Sequence, residues 1–424
     1  MSLATGRRHR VHRAWWVALT VLGAMVAAAG FRSSTGALLE PLEREFGWAR
    51  TTTSGAVTAN LVIYGLTAPF AAAIMERFGI RKVLTGALLL VSAGSGLTTL
   101  ISAPWQLWLL WGGCVGIGTG AMALVLGSII ANRWFAARRG LVTGFFSAGS
   151  STGQLVFLPL IAQLAAGPGW RYAALLTAAA ALLLVPVVGL VVRDRPQDVG
   201  TTPYGSDVPD PPPPHPGRSP ARIALDVLGQ VRGSGPFWLL FGTFFICGWS
   251  TNGLIGTHFI PAAHDHGMPE TTAAGLLALI GVFDIVGTVA SGWFTDRVDP
   301  RLLLVAYYVL RGLSLLVVPI LLGPDIEPNL FLFVVFYGLD WVATVPPTMA
   351  LCRRCFGLER SSIVFGWVFA GHMVGAGIAA AYAGWVRQST GDYFTAWLTA
   401  GGLCVLAGAA CVLIPRGSVA SNSK

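Results

Sequence analysis

Residues 134–146 read Trp134-Phe135-Ala136-Ala137-Arg138-Arg139-Gly140-Leu141-Val142-Thr143-Gly144-Phe145-Phe146. An aromatic pair and a double arginine stand between two long apolar runs, 105–131 and 140–166. Each run exceeds the ~20 residues that an α-helix needs to cross the hydrocarbon core of a bilayer. The two arginines therefore mark a short turn at a membrane face. The chain leaves a membrane as one helix here and re-enters it as the next.

The same pattern recurs on both sides of this stretch. Apolar runs of helical length fall at 14–38, 52–75, 83–103, 105–131, 140–166, 172–192, 237–262, 273–294, 302–322, 330–351, 362–386 and 394–414. Charged residues are 11% of the chain and hydrophobic residues 54%. A soluble protein carries roughly a quarter charged residues, so water is not the only solvent of this one. Membrane β-barrels are excluded because their strands are short and alternating, whereas these runs are long and continuous. The fold class is an all-α membrane protein with twelve transmembrane helices.

The net charge of +9 does not point to nucleic acid. With the N-terminus on the cytoplasmic side, the inner segments hold 22 of the 28 Lys and Arg, and the outer loops only Arg44, Arg50, Arg171 and Arg387. That bias follows the positive-inside rule and places both termini in the cytoplasm of a multi-pass protein of the cell membrane. The lipid bilayer is thus a partner. The start Arg7-Arg8-His9-Arg10 before an apolar run is like a signal peptide, but the run is too long for one and eleven more follow.

Residues 193–235 break the pattern. They contain Pro209-Asp210-Pro211-Pro212-Pro213-Pro214-His215-Pro216, which favours extended polyproline structure with no packed core. The chain divides into a basic N-terminus (1–13), a six-helix bundle (14–192), a cytoplasmic linker (193–235), a second six-helix bundle (236–414) and a tail (415–424). Transporters built from two similar halves carry the substrate site between them. Cys352-Arg353-Arg354-Cys355 is the one close cysteine pair among six cysteines. A zinc site needs about four ligands, so no metal is expected and the thiols are unligated.

The quoted stretch resembles the entry to the fifth helix of the monocarboxylate transporter family, which belongs to the major facilitator superfamily. The likeness extends through most of the first half. Tyr64-Gly65-x-x-x-Pro69 followed by Arg77-Phe78-Gly79-x-Arg81 is similar to the family's second helix and loop. The glycine-rich segment 112–120 and Ala148-Gly149-x-x-x-Gly153 follow in order. Small residues at such spacing let membrane helices approach closely. The second half matches less closely. The resemblance implies a major facilitator fold of two six-helix bundles and puts Tyr64 among the residues that meet substrate.

Two cytoplasmic turns repeat each other: Glu76-Arg77-Phe78-Gly79-Ile80-Arg81-Lys82 and Asp296-Arg297-Val298-Asp299-Pro300-Arg301. They resemble the superfamily's loop signature, in which an acid and arginines latch neighbouring helix ends in one state. Arginine can bond a carboxylate and helix C-terminal carbonyls together. Glu76, Arg77, Arg81, Asp296 and Arg297 are therefore gating candidates, and an ordinary positive-inside turn is the alternative.

Four fully ionisable residues lie inside the expected spans: Arg32, Asp284, Arg311 and Asp340. His258 and His372 join them. Each buried charge costs a few kcal/mol, so intramembrane charges are functional candidates by default. Arg32 stands where the family has a cation in its first helix, thought to meet the substrate carboxylate; snorkelling to the outer headgroups is its other role. Asp284 resembles the family's acid in the eighth helix. One turn later the family has an arginine, and this chain has Thr288. Arg311 either supplies the missing cation or pairs with Asp284 or Asp340. Asp340 and Trp341 precede Pro346-Pro347, which should break the tenth helix and make a site wall. His372 has a side chain suited to proton relay.

These residues imply a secondary active transporter that moves a small organic anion, a carboxylate by the resemblance, by alternating access. Two Arg and two Asp in the membrane cancel, so an entering anion is balanced if one Asp takes a proton. Substrate contact falls to Arg32, Tyr64, Arg311, Asp340 and Trp341, and proton coupling to Asp284 and His372. The alternative is a proton-driven exporter of drugs or secondary metabolites, for which Asp284 and Asp340 are also suited. A solute sensor would need a signalling domain, and the large cytoplasmic segment is a proline-rich loop. No phosphate-cradling loop or nucleophile context appears, so neither enzymatic activity nor a cofactor is expected. A monomer is expected.

Overall fold

The computed structural model describes residues 11–48, 50–209 and 219–417, leaving out the side chains of 32–37, 39, 40, 50, 51, 54, 150, 154, 158, 162, 166 and 270. The polyproline stretch thus lies outside the described residues from 210 onward.

Twelve helices among the described residues are long and apolar enough to cross a membrane. In chain order they are α1 (Arg13–Phe46), α2 (Arg50–Phe78), α3 (Ile80–Leu97), α4 (Pro104–Trp134), α5 (Arg139–Ala166), α6 (Trp170–Val191), α7 (Gly235–Asp265), α8 (Glu270–Thr295), α9 (Pro300–Leu321), α10 (Pro328–Phe356), α11 (Leu358–Thr390) and α12 (Phe394–Cys411). Helices α1–α6 form one bundle and α7–α12 the other. The bundles meet where α5 packs on α8 and α2 on α11.

Small residues make that meeting close. A Cβ added to Gly140 on α5 would lie 2.4 Å from the carbonyl oxygen of Gly292 on α8, and one on Gly144 would lie 2.7 Å from that of Thr288. No side chain fits there, so the glycine spacing of the quoted stretch is a helix–helix contact. On the other seam, a Cβ at Gly366 of α11 would meet Pro69 Cα at 2.6 Å.

The rest of the quoted stretch forms the turn. Trp134 and Phe135 are fully buried. Tyr204, beyond α6, donates its N–H to Trp134 O at 2.8 Å, and its own carbonyl accepts from Ala136 and Ala137 at 2.9 and 3.0 Å. Arg138 then reverses the chain at φ 60°, the one non-glycine residue with positive φ among those described.

Two helices are interrupted at matching places. Helix α4 breaks at Met122–Ala123, where Ala123 is extended, and resumes as Leu124–Trp134. Helix α10 breaks over 341–344 and resumes as Val345–Phe356. The resumed pieces are 11 and 12 residues long, so the breaks share a depth. Interrupted helices in corresponding positions of two halves point to a transport site. Pro346 and Pro347 do not themselves interrupt α10. They occupy the first turn of its second piece, where a missing N–H costs no helical bond. Helices α4 and α7 each also carry a widened π turn, at Trp108–Val115 and Trp249–Ile255, a feature frequent at functional sites.

Within the linker, Pro220–Val231 is a helix capped by Ser219, with Ile223, Ala224, Val227 and Val231 buried. It lies against both α2 and α11. Trp367 of α11 donates its indole N–H to Ala224 O at 3.1 Å.

Candidate transport site and gate

Asp284 sits midway along α8 and is fully buried. Its Oδ1 accepts from Thr288 Oγ1 at 2.7 Å and from the main-chain N–H of Val342 at 2.9 Å. Its Oδ2 accepts from Ser151 Oγ of α5. Thr288, which stands where the resemblance expects an arginine, thus bonds the acid one turn away. Among the described residues no cation is a hydrogen-bond partner of this carboxyl. Asp284 instead joins three elements: its own helix, the opposite bundle and the break in α10.

Arg311 and Asp340 form a pair of their own. Arg311 Nε donates to Asp340 Oδ2 at 2.6 Å. Its Nη2 donates to the carbonyls of Asp340 (2.5 Å) and Trp341 (3.1 Å), and its Nη1 to Cys247 Sγ (3.2 Å) and Ser250 Oγ (3.5 Å). The pairing alternative left open by the sequence is the one the structure displays for Arg311, with Asp340 as partner and not Asp284. Asp340 Oδ1 is buried and without a hydrogen-bond partner. Trp341 stands in the break, half-buried, with its ring edge-on to Tyr337 at 5.7 Å.

His372 of α11 is buried and stacked on Phe369, ring centroids 5.8 Å apart. Its Nε2 is 3.3 Å from Asn252 Nδ2 in the widened turn of α7. Phe369 in turn meets Tyr64 of α2 edge-on at 5.7 Å, across the seam between bundles. His372 and Tyr64 therefore share one aromatic wall. Arg32 lies on α1, and its side chain is outside the described residues. Its neighbour Phe31 is buried edge-on against Trp111 in the widened turn of α4.

The gating candidates separate into two groups. Asp296, at the end of α8, accepts from the main-chain N–H groups of Gly140 (2.8 Å) and Leu141 (3.1 Å) and so caps α5 of the opposite bundle. A carboxylate at a helix N-terminus satisfies unpaired N–H donors and opposes the helix dipole. Glu76 pairs within its own bundle, with Arg133 at the end of α4. The Arg81 main-chain N–H goes to Asp194 Oδ1 at 2.8 Å. Arg77 stacks on Phe78, with its guanidinium carbon 5.2 Å from the ring centroid. Arg297 folds back on its own helix, onto the Trp293 ring at 3.8 Å and the Trp293 carbonyl at 3.0 Å. Asn132 of α4 adds a second link between bundles, donating to Ser361 Oγ at 3.0 Å and Ser362 Oγ at 3.2 Å on α11. These inter-bundle bonds lie between mid-membrane and the basic face and tie the two bundles together on that side.

A sequence profile of the family described as Major Facilitator Superfamily matches residues 20–356 and 261–424. The chain belongs to the major facilitator superfamily. It is a membrane transporter and not an enzyme. Among relatives, it is 26% identical to monocarboxylate transporter 13 of Rattus norvegicus, over 95% of this chain and 89% of that protein. It is 25% identical to the uncharacterized transporter YcxA of Bacillus subtilis (strain 168), over 87% of each. The transporter FucP, solved in the outward conformation, shares the fold with a TM-score of 0.70 and 15% identity, over 96% of this chain and 100% of FucP.

Several residues that organise this superfamily member escape a sequence reading. Ser151 lies inside the small-residue pattern around Gly149, and nothing in its neighbourhood distinguishes a hydroxyl aimed at Asp284 from a packing serine. Cys247 sits in an apolar run, and Ser250 opens the polar triplet Ser250-Thr251-Asn252, which does not by itself point to Arg311. Arg133 and Asn132 directly precede the quoted stretch. Their spacing from it was the available signal.

Proposed function

We propose that this transporter moves a small organic anion, a monocarboxylate in keeping with its relatives, together with a proton. Asp284 carries this reading, because it is a buried carboxyl that bonds both bundles and has no cation among its described bonding partners. Burying a charge without a counter-charge is costly, and an arriving proton neutralises it in place. The protonated Oδ2 then donates to Ser151 Oγ, which reverses the bond. Separating the bundles must break that bond. Leaving an ionised carboxylate short of a donor costs more than leaving a neutral one so, so the proton eases the transition.

Arg32 is the proposed anchor of the anion. A guanidinium accepts a carboxylate in bidentate geometry and keeps its charge at any working pH. With Arg311 committed to Asp340, Arg32 and Asp284 are the opposite charges that an anion and a proton respectively neutralise. Tyr64, Trp341 and His372 line the path, with His372 as a second proton-exchanging group. The basic face is read as cytoplasmic by the positive-inside rule, which makes the present arrangement closed to the cytoplasm. The carrier works in the cell membrane as a monomer.

The test is uptake of a labelled panel into proteoliposomes, with and without an acid-outside gradient. The panel holds a monocarboxylate, a dicarboxylate, a neutral analogue and a hydrophobic amine. Uptake of the monocarboxylate, driven by the gradient, is expected. Arg32→Ala should cost roughly ten- to a hundredfold in affinity, the worth of a charged hydrogen bond, and Arg32→Lys less. Transport of the amine alone, unaffected by Arg32→Ala, would establish the exporter in its place.

A further inference from the structure

We propose that Arg311 is a positioning residue: it fixes the geometry of the break in α10 and does not contact the transported solute. The donor inventory carries this. A guanidinium has five N–H donors, and here each has an acceptor: Asp340 Oδ2, Asp340 O, Trp341 O, Cys247 Sγ and Ser250 Oγ. The side chain is fully buried, with the rings of Tyr308 and Tyr337 at 5.8 and 6.0 Å. Those rings are themselves fixed to α7, since Tyr308 Oη donates to Thr243 O at 2.7 Å and Tyr337 Oη to Ser250 O at 2.8 Å. No donor of Arg311 is left for a solute.

The two main-chain acceptors show what the arginine does there. Asp340 and Trp341 end the first piece of α10, where carbonyls lose their i+4 partners and Asp340 O keeps a turn bond from Ala343 N at 3.2 Å. A cation at such an end satisfies the carbonyls and opposes the helix dipole. At the other end of the Trp341–Val342 peptide group, inside the break, the Val342 N–H goes to Asp284. A buried cation takes the carbonyls and a buried carboxyl takes the amide, so the interruption is clamped from both sides. Trp341 lies between the two clamp points and, with Val342, is one of the two half-buried residues of the break. Arg311 acts on the solute only through this segment.

This inference rests on the chain being a carrier and not on its solute being an anion. The test therefore uses full-length protein in proteoliposomes with whichever panel solute the wild type takes up. Arg311→Lys keeps the charge but cannot serve five acceptors spread over a planar fork. The double variant Arg311→Met with Asp340→Leu removes both partners and leaves no unpaired buried charge. In both, KM should stay within about threefold of wild type while the maximal rate falls about tenfold or more. If Arg311→Lys fails to insert, the double variant decides by the same split. A KM raised about tenfold or more at unchanged maximal rate would mean solute contact and overturn the proposal. Wild-type transport by the double variant would overturn it as well.

Discussion

Ser151 on α5 donates its hydroxyl to the carboxyl of Asp284 on α8, and this bond joins the two bundles at mid-membrane depth. It stands on the seam with the glycine contacts of Gly140 and Gly144, yet differs from them in kind. Packing contacts depend on shape alone, whereas this one depends on the charge of its acceptor.

Ser151→Ala removes the bond while leaving Thr288 and Val342 in place. A hydrogen bond to a charged group is worth about 1.5–3 kcal/mol, so the equilibrium should shift toward separated bundles by an amount of that order. Spin labels at Ala137 and Val298, on the basic ends flanking α5 and α8, would read it as a longer inter-label distance. An unchanged distance distribution would show that the bond does not hold the seam.

Asp296 crosses the same seam at the basic face. Asp296→Ala uncaps α5, at a cost of about 1 kcal/mol for a typical cap. Its effect should appear in the maximal transport rate, with KM within about twofold. Arg77→Ala should likewise slow transport with KM nearly unchanged. A large rise in KM for Asp296→Ala would move this residue from the gate into the site.

How much of this was legible in the sequence varies with the physics involved. Twelve spans follow from hydropathy alone, because only a continuous apolar helix satisfies its backbone in lipid. The glycine pair of the quoted stretch signalled close packing, but its partners Gly292 and Thr288 lie in another span, and pairing across spans leaves no local trace. The prolines of α10 marked a break to within a few residues, though they start the second piece and do not end the first. The linker helix was missed although Ile223, Val227 and Val231 repeat at helical spacing behind Ser219-Pro220. The polyproline run nearby dominated that segment. For Arg311, charge and depth were legible and the partner was not, since Asp284 and Asp340 are equally plausible by depth.

That linker gives two contrasting expectations. Deleting 210–218, outside the described residues, should leave transport intact, because a polyproline segment has no core to lose. Val227→Asp should slow transport and lower the unfolding temperature, because it buries an unpaired charge in the helix that contacts both α2 and α11. Equal effects of the two changes would refute this division of the linker.

Asp299, in the turn between α8 and α9, is bonded by Arg301 at 2.7 Å and by Arg354 at 3.3 Å. The side-chain bond from Arg301 holds its carboxyl below the usual range. A depressed folded pKa stabilises above the unfolded value of about 3.9, and the gain is lost as pH falls through the folded value. Asp299→Asn should therefore lower the unfolding temperature of the detergent-solubilised protein at pH 5–8, by no more than the worth of a partly exposed pair, about 1 kcal/mol. The difference from wild type should begin to shrink below about pH 4 and vanish only once the pH has fallen below the folded value. A difference independent of pH would rule out the ion pair as its source.

The central claim is that Asp284 carries the proton that accompanies the anion, and Asp284→Asn tests it most directly. The amide keeps the size of the side chain and still accepts from Thr288 and Val342, but it cannot take up or release a proton. Proteoliposomes with this variant should exchange labelled monocarboxylate for unlabelled across the membrane at a rate near wild type. They should fail to accumulate it under an acid-outside gradient. Gradient-driven accumulation by Asp284→Asn equal to that of the wild type would contradict the account.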